Sequence, residues 1–118
     1  MEINQGITSF HFPYVPLRID IQQGSQMVDA LLDTGFDGDV ALPQHLVAGV
    51  LPDGYLPWVL ADGSDVLAPA YEGIVQIGST APLAAVMIAL GEEPLVGRGV
   101  SDHFRIVLDH GREIIVEP

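Results

Sequence analysis

Asp33 is the residue of this chain best placed to do chemistry. In ALLDTGFDG (30–38) an apolar run, Ala30-Leu31-Leu32, drives straight into a carboxylate followed by Thr34 and Gly35. Taken alone, Asp-Thr-Gly is an acceptable turn, and a turn is its plain reading. The apolar lead-in argues for more. A carboxylate at the end of a buried strand is partly withdrawn from water, which opens its pKa to adjustment. Gly35 lets a second backbone come close, and Thr34 supplies a hydroxyl able to lock a neighbouring loop. The chemistry open to such a group is proton transfer, as general acid or base.

Other chemistries fit the residues poorly. Asp33, Asp37 and Asp39 suggest calcium at first sight. An EF-hand loop needs oxygen ligands at its first, third and fifth positions and a Glu at the twelfth. Here the third position is Gly35 and the twelfth is Gln44. His11, His45, His103 and His110 show neither HxxxH nor HExxH spacing and read as surface or turn residues. There is no GxSxG nucleophile elbow, no lysine-bearing phosphate loop and no cysteine. The expectation is therefore a site without metal or cofactor.

The 118 residues suggest one domain spanning 1–118. Sixteen acidic residues face four arginines and no lysine, a net charge of −12. Such a surface repels phosphate backbones, so no nucleic-acid partner is expected. With 48% hydrophobic and only 17% charged residues the chain reads as folded, not disordered. The opening MEINQGITSF has no basic flank and no apolar stretch of signal type. The longest apolar run, LAAVMIAL (83–90), is too short to span a bilayer. We expect a soluble, cytoplasmic protein with no membrane partner.

The elements that must position Asp33 are mostly strands. YVPLRIDIQ (14–22) alternates, with Val15, Leu17, Ile19 and Ile21 on one face and Arg18 and Asp20 on the other. QGS then turns the chain into QMVDALLD (26–33), a hairpin. DVALP (39–43) is a short strand, and PQHLVAG allows one helical turn with Pro43 at its start. Residues 56–78 read as a long hairpin with Asp62-Gly63 at the tip. PLAAVMIAL and EPLVG are short buried strands, RGVSDHF is one short helix, and residues 105–118 close the chain as a hairpin turned by DHGR. Regular turn signals without helical periodicity predict an all-β barrel or sandwich with one or two short helices. A weak internal echo also appears: ALLDTG and EPLVGRG each drive two apolar residues into a glycine turn ahead of a short helical stretch.

ALLDTGFDGDVALP resembles the active-site loop of retropepsin-like aspartic proteases, the half-length, dimeric relatives of pepsin. The run YEGIVQIGSTAPLAAVMIALGEEPLVGRG is similar to the stretch that leads from the family's flap to its apolar-apolar-Gly-Arg loop. The matching segments span residues 14–110. Asp-Thr-Gly alone is weakly specific; with the hairpin and LVGR in order it becomes a fairly specific set. The resemblance implies a retropepsin-like acid-protease barrel forming one subunit of a two-fold homodimer, and the internal echo is what the family's approximate internal symmetry implies.

By that resemblance Asp33 is the catalytic aspartate, Thr34 interlocks the two active-site loops, and Gly35 lies along the substrate backbone. Residues 56–70 form the flap, and Leu31, Phe36, Val40, Trp58, Ala61, Asp62, Gly63, Glu93 and Leu95 surround a peptide or protein substrate. Trp58 before the hairpin tip reads more readily as a packing residue than as a substrate platform. Glu93 at a pocket rim would tolerate Arg or Lys, and a solvated turn is its alternative. An intrachain ion pair between Asp37 and Arg98 is expected, because one of only four arginines follows the loop beside Asp33 and a guanidinium binds a carboxylate in a two-pronged way. The segment REIIVEP (112–118) has one apolar side and no evident later partner, so with MEINQGITSF it is expected at the dimer contact. Phe36 stands where many members carry Ala or Ser, the tip ADGSD has a single glycine, and Gly97-Arg98-Gly99 replaces the commoner Gly-Arg-Asp or Gly-Arg-Asn. These departures bear on substrate range and flap motion. Two alternatives stay open: a catalytically silent binding or scaffolding dimer of the same fold, and an unrelated monomeric β-barrel with a turn aspartate.

Overall fold

The computed structural model describes residues 7–118. Among them the strands are β1 (Ile7–Ser9), β2 (Tyr14–Ile21), β3 (Gly24–Leu32), β4 (Val40–Leu42), β5 (Gly54–Val59), β6 (Asp65–Ile77), β7 (Leu83–Ala89), β8 (Leu95–Val96), β9 (Arg105–Asp109) and β10 (Glu113–Glu117). A 3-10 turn over Gln44–Val47 begins after Pro43, and α1 covers Arg98–Ser101, so both short helices lie where expected. No helix of the described residues is long and apolar enough to cross a membrane.

The alternation in β2 decides its orientation. Val15, Leu17, Ile19 and Ile21 are buried, and each fully buried Leu or Ile contributes roughly 1.5–3 kcal/mol. The β2–β3 hairpin pairs Ile21 with Gly24, so its loop is Gln22-Gln23, one step earlier than the Gly-Ser signal suggests. Gln22 takes the left-handed conformation, φ 55°, that such a tight connection demands.

Six strands close a ring in the order β2-β3-β8-β4-β7-β6, with β6 returning to β2, and β5 hangs on the outside of β6. The length of β6 makes this possible. Residues 65–70 pair with β5, 70–75 with β7 and 73–77 with β2. Gly73 is required at that junction: a Cβ there would lie 2.3 Å from the Asp20 carbonyl oxygen and 2.6 Å from the Met87 methyl. Ala70 and Tyr71 are both buried, and they face different apolar layers. The larger core gathers Leu17, Ile19, Leu42, Tyr71, Val75, Met87, Val96 and Ile114. A smaller one holds Phe36, Ala41, Ala68, Ala70 and Ile88, with Trp58 and Leu95 against it.

The chain ends form a separate three-stranded sheet, β1-β10-β9. This corrects the expectation of an open edge at 112–118: β10 lies between two strands of its own chain, and Ile114 and Val116 are 0% exposed. The pairing brings together residues from opposite ends of the sequence, which local pattern does not reveal. Residues 1–6 of the proposed N-terminal contribution to a dimer contact lie outside the described residues.

Candidate active site

The end of β3 is fixed from two sides. Leu31 and Leu32 run parallel to Leu95 and Val96 of β8. The Leu31 N–H donates to the Pro94 carbonyl and the Asp33 N–H to that of Val96, both at 2.9 Å. With the strand held through Asp33 itself, the chain turns: the Phe36 N–H donates back to the Asp33 carbonyl at 3.2 Å, and the Gly35 N–H donates to Asp33 Oδ1 at 2.9 Å. Asp33 is half-buried, while Thr34 and Gly35 are exposed. The result is a carboxylate oriented by a backbone donor at the lip of the barrel, with a hydroxyl and a bare glycine backbone beside it. Groups in this arrangement can exchange a proton and accept a close-lying extended chain.

The loop after Gly35 is clamped to the loop after β8. Backbone N–H groups of Gly97, Arg98 and Gly99 donate to the carbonyls of Asp39, Phe36 and Gly38 at 2.9, 2.8 and 3.0 Å. Two backbones this close exclude side chains. A Cβ on Gly97 would stand 2.2 Å from the Gly38 oxygen, and one on Gly99 1.9 Å from Asp39 Oδ1. Asp39 also accepts a hydrogen bond from the Val86 N–H through Oδ2 at 2.8 Å, joining this loop to β7. Residue 99 thus has no room for a side chain, because the Asp39 carboxylate fills the space.

The expected pairing of Asp37 with Arg98 is not formed. Asp37 is exposed, and the Arg98 guanidinium pairs with Asp102 one helical turn on, at 3.7 Å, with both side chains more than half exposed. The reason is the backbone clamp: Arg98 docks through its N–H on Phe36, which sends its side chain outward along α1. The carboxylate that does reach the 97–99 loop is Asp39, two residues beyond the expected one.

The structure brings Phe36, Val40 and Trp58 together. They line a cavity of about 120 Å³ with Gly38, Asp39, Leu56, Val86 and Ile88. Phe36 is buried and meets Trp58 edge to face, ring centroids 5.4 Å apart. Its ring folds over Gly38, where a Cβ would lie 2.6 Å from Cζ. Trp58 is thus at least a packing residue. Leu31 and Leu95 are neighbours across β3 and β8. Ala61, Asp62 and Gly63 form the exposed tip between β5 and β6. There Gly63 has φ +86°, and Asp62 Oδ1 accepts from the Ser64 N–H at 2.9 Å and the Ser64 hydroxyl at 2.6 Å. Those bonds hold the Asp62 carboxyl below its ordinary range.

Glu93 lies apart from this cavity. The Tyr14 hydroxyl donates to its Oε1 at 2.9 Å, and that bond, with the adjacent charge, pushes the tyrosine pKa up. Tyr14, Asp39, Val86 and Ile88 were missed from sequence. The alternation in LAAVMIAL marks Val86 and Ile88 as same-face residues, but nothing local says which loop they meet.

No family model and no curated protein matches the chain in sequence. Its fold does match solved structures. A retropepsin-like aspartic protease from Rickettsia conorii superposes with a TM-score of 0.64 at 14% identity, covering 94% of this chain and 89% of that one. The simian foamy virus (mac) protease gives 0.52 at 15% identity over 74% of this chain and 91% of that one. The foamy viral protease-reverse transcriptase, solved in complex with an RNA/DNA hybrid, gives 0.57 at 12% identity; 79% of this chain covers 12% of that longer one. With a closed β ring, an overhanging hairpin and Asp33 at the end of a strand tied to the 95–99 loop, the chain has a retropepsin-like fold.

Proposed function

We propose that the chain, as a single domain over 1–118, is a homodimeric aspartic endopeptidase with one Asp33 from each subunit in a shared site. The observation that supports this most is the presentation of Asp33: on a retropepsin-like fold it ends an apolar strand, its Oδ1 takes the Gly35 N–H, and Thr34 and Gly35 stand exposed beside it. Each chain supplies one such aspartate, so the site is completed on a two-fold axis. Two carboxylates about 3 Å apart cannot both ionise and hold one proton between them. The ionised member takes a proton from water as the water oxygen bonds to the scissile carbonyl carbon, and the protonated member gives its proton to the carbonyl oxygen. When the tetrahedral species collapses, the C–N bond breaks, the leaving nitrogen takes the proton the first aspartate gained from water, and the second aspartate recovers its proton from the hydroxyl as the carbonyl reforms. No covalent enzyme intermediate is involved, and the dyad titrates as a pair. Thr34 fastens the two loops, Gly35 lies along the substrate, the 54–70 hairpin covers it, and Leu31, Phe36, Val40, Trp58, Ala61, Asp62, Gly63, Glu93 and Leu95 contact its side chains.

The test is cleavage of a peptide library at pH 4–6, with Asp33→Asn as the blocked form. An amide cannot act as the base, while Asn keeps the turn. Mixing equal amounts of the two chains under confirmed exchange leaves about a quarter of the dimers fully wild type, so activity per wild-type chain drops to roughly half. Constant activity per wild-type chain rejects the shared site, and an inert wild type rejects the enzyme.

A further inference from the structure

We infer that the Glu93 carboxylate, held by the Tyr14 hydroxyl, receives an arginine or lysine side chain of a cationic peptide lying across Asp33. This rests on the reading of the Asp33 cleft as a peptide site and deepens it by naming the substrate class.

The strand register sets Glu93 beside the floor that leads to Asp33. Directly paired residues project from the same face of a sheet. Tyr14 pairs with Leu31, Leu31 with Leu95, Leu95 with Ala41, Ala41 with Ile88, and Ile88 with Ala70. These residues form one row across β2, β3, β8, β4, β7 and β6, and none of them belongs to the larger core. At one end the row is covered: Ala41, Ile88 and Ala70 are buried in the smaller core with Phe36 and Trp58. At the other end Tyr14, Leu31 and Leu95 are only half-buried. Asp33 comes two residues after Leu31, so the alternation of an extended chain returns it to the face of this row. Glu93 comes two residues before Leu95, and the 2.9 Å bond from the Tyr14 hydroxyl ties its carboxylate to the open end.

An apolar strip ending in a fixed carboxylate matches a long basic side chain, whose methylenes lie on apolar surface while its charged head seeks a partner. Leu31 and Leu95 take the stem, and Glu93 takes the head. The carboxylate is available for this. Tyr14 donates to Oε1, which leaves the lone pairs of Oε2 for a guanidinium or an ammonium. Among the described residues none of the ion pairs involves Glu93. A phenol also orients a carboxylate without neutralising it, as an arginine partner would. The same bond raises the tyrosine pKa, so the hydroxyl keeps its proton and remains the donor. The net charge of −12 acts at longer range, drawing cationic peptides to the chain and speeding encounter. That field does not select a position along the peptide; a single oriented carboxylate does.

The test separates the carboxylate at 93 from the general acidity of the chain, and it does not depend on cleavage. The Asp33→Asn chain captures peptides from a synthetic random library, and the captured peptides are sequenced. Arg and Lys should be enriched at one position by at least about fivefold over the input. Adding Glu93→Gln should abolish that enrichment, and Glu93→Arg should replace it with Asp and Glu at the same position. Tyr14→Phe keeps the ring but releases the carboxylate, so the enrichment should weaken without changing sign. Glu92→Gln is the control: it removes the same charge from the exposed neighbouring residue and should leave the enrichment unchanged. Glu93 is itself exposed, so its variants should fold, which thermal unfolding checks. Absence of basic enrichment, or an equal loss from Glu92→Gln and Glu93→Gln, overturns the proposal. Enrichment that depends on Glu93 in a protein whose wild type cleaves nothing sustains this site and rejects the protease. Cleavage by the wild type without basic preference, in a pattern that Glu93→Gln leaves unaltered, does the reverse.

Discussion

Gly99 and Asp39 occupy one place: a Cβ on residue 99 would sit 1.9 Å from Asp39 Oδ1, while the other carboxylate oxygen accepts the Val86 N–H. Gly99→Ala should therefore destabilise the fold by about 1–3 kcal/mol through overpacking. Asp39→Ala should cost about 1–3 kcal/mol by leaving that N–H without its acceptor. The double variant should lose less than the sum, since the smaller residue at 39 makes room at 99. Urea unfolding of the four proteins checks this; strict additivity would show the two residues do not compete.

Arg98 should be nearly dispensable for stability. Its partner Asp102 is 3.7 Å away and both are largely exposed, so Arg98→Gln should change the unfolding free energy by about 0.5 kcal/mol or less. A loss of several kcal/mol in thermal or denaturant unfolding would contradict the exposed geometry and restore the case for a buried pair with Asp37.

Trp58 is the only tryptophan, and Phe36 is its edge-to-face neighbour. Phe36→Ala should cost roughly 3–5 kcal/mol because the site is closely packed. It should also shift the Trp58 emission to longer wavelength as water reaches the indole. A ligand entering the cavity lined by Phe36, Leu56, Trp58, Val86 and Ile88 should shift the wild-type emission the other way. Emission unchanged by Phe36→Ala would show that the ring does not shield Trp58.

The hairpin tip should hold its shape into acid. Ser64 donates twice to the Asp62 carboxylate, which lowers its pKa. A depressed folded pKa means the ordering contribution is complete above the ordinary aspartate pKa of about 3.9 and fades only as pH falls through the lower, folded value. Carboxyl NMR titration should place the Asp62 midpoint below that of a free aspartate, and Ser64→Ala should raise it. A wild-type midpoint at or above the free value would mean these bonds are not formed in solution.

Legibility from sequence followed how local each decision was. The burial of Val15, Leu17, Ile19 and Ile21 needs only a two-residue period, and it was readable. So were the hairpin, expected at 56–78 and found at 54–77, the two helical turns and the position of Asp33 at a strand end. The Gln22-Gln23 loop was displaced because the glycine two positions later carried the stronger turn signal, whereas the chain places Gln22 itself at positive φ. The choice of Asp39 over Asp37 was out of reach. Both sit in an irregular loop with no periodicity, and only the approach of the 97–99 backbone selects between them. The β1–β10 pairing was hidden for a related reason: no pattern within either segment specifies a partner a whole chain away.

The way β6 is shared has a mechanical consequence. Residues 71–77 belong to the closed ring, hydrogen-bonded to β7 and β2, while residues 65–69 are hydrogen-bonded to β5 alone and rest on the barrel only through the packing of Ala68 and Trp58 in the smaller core. The hairpin is thus a cantilever clamped at Ala70, and bending it upward breaks none of the hydrogen bonds that close the barrel. Rigidity of the body and compliance of the arm are separately adjustable in one strand: changes at 54–69 alter how often the arm lifts, and changes at 71–77 alter whether the barrel stands at all.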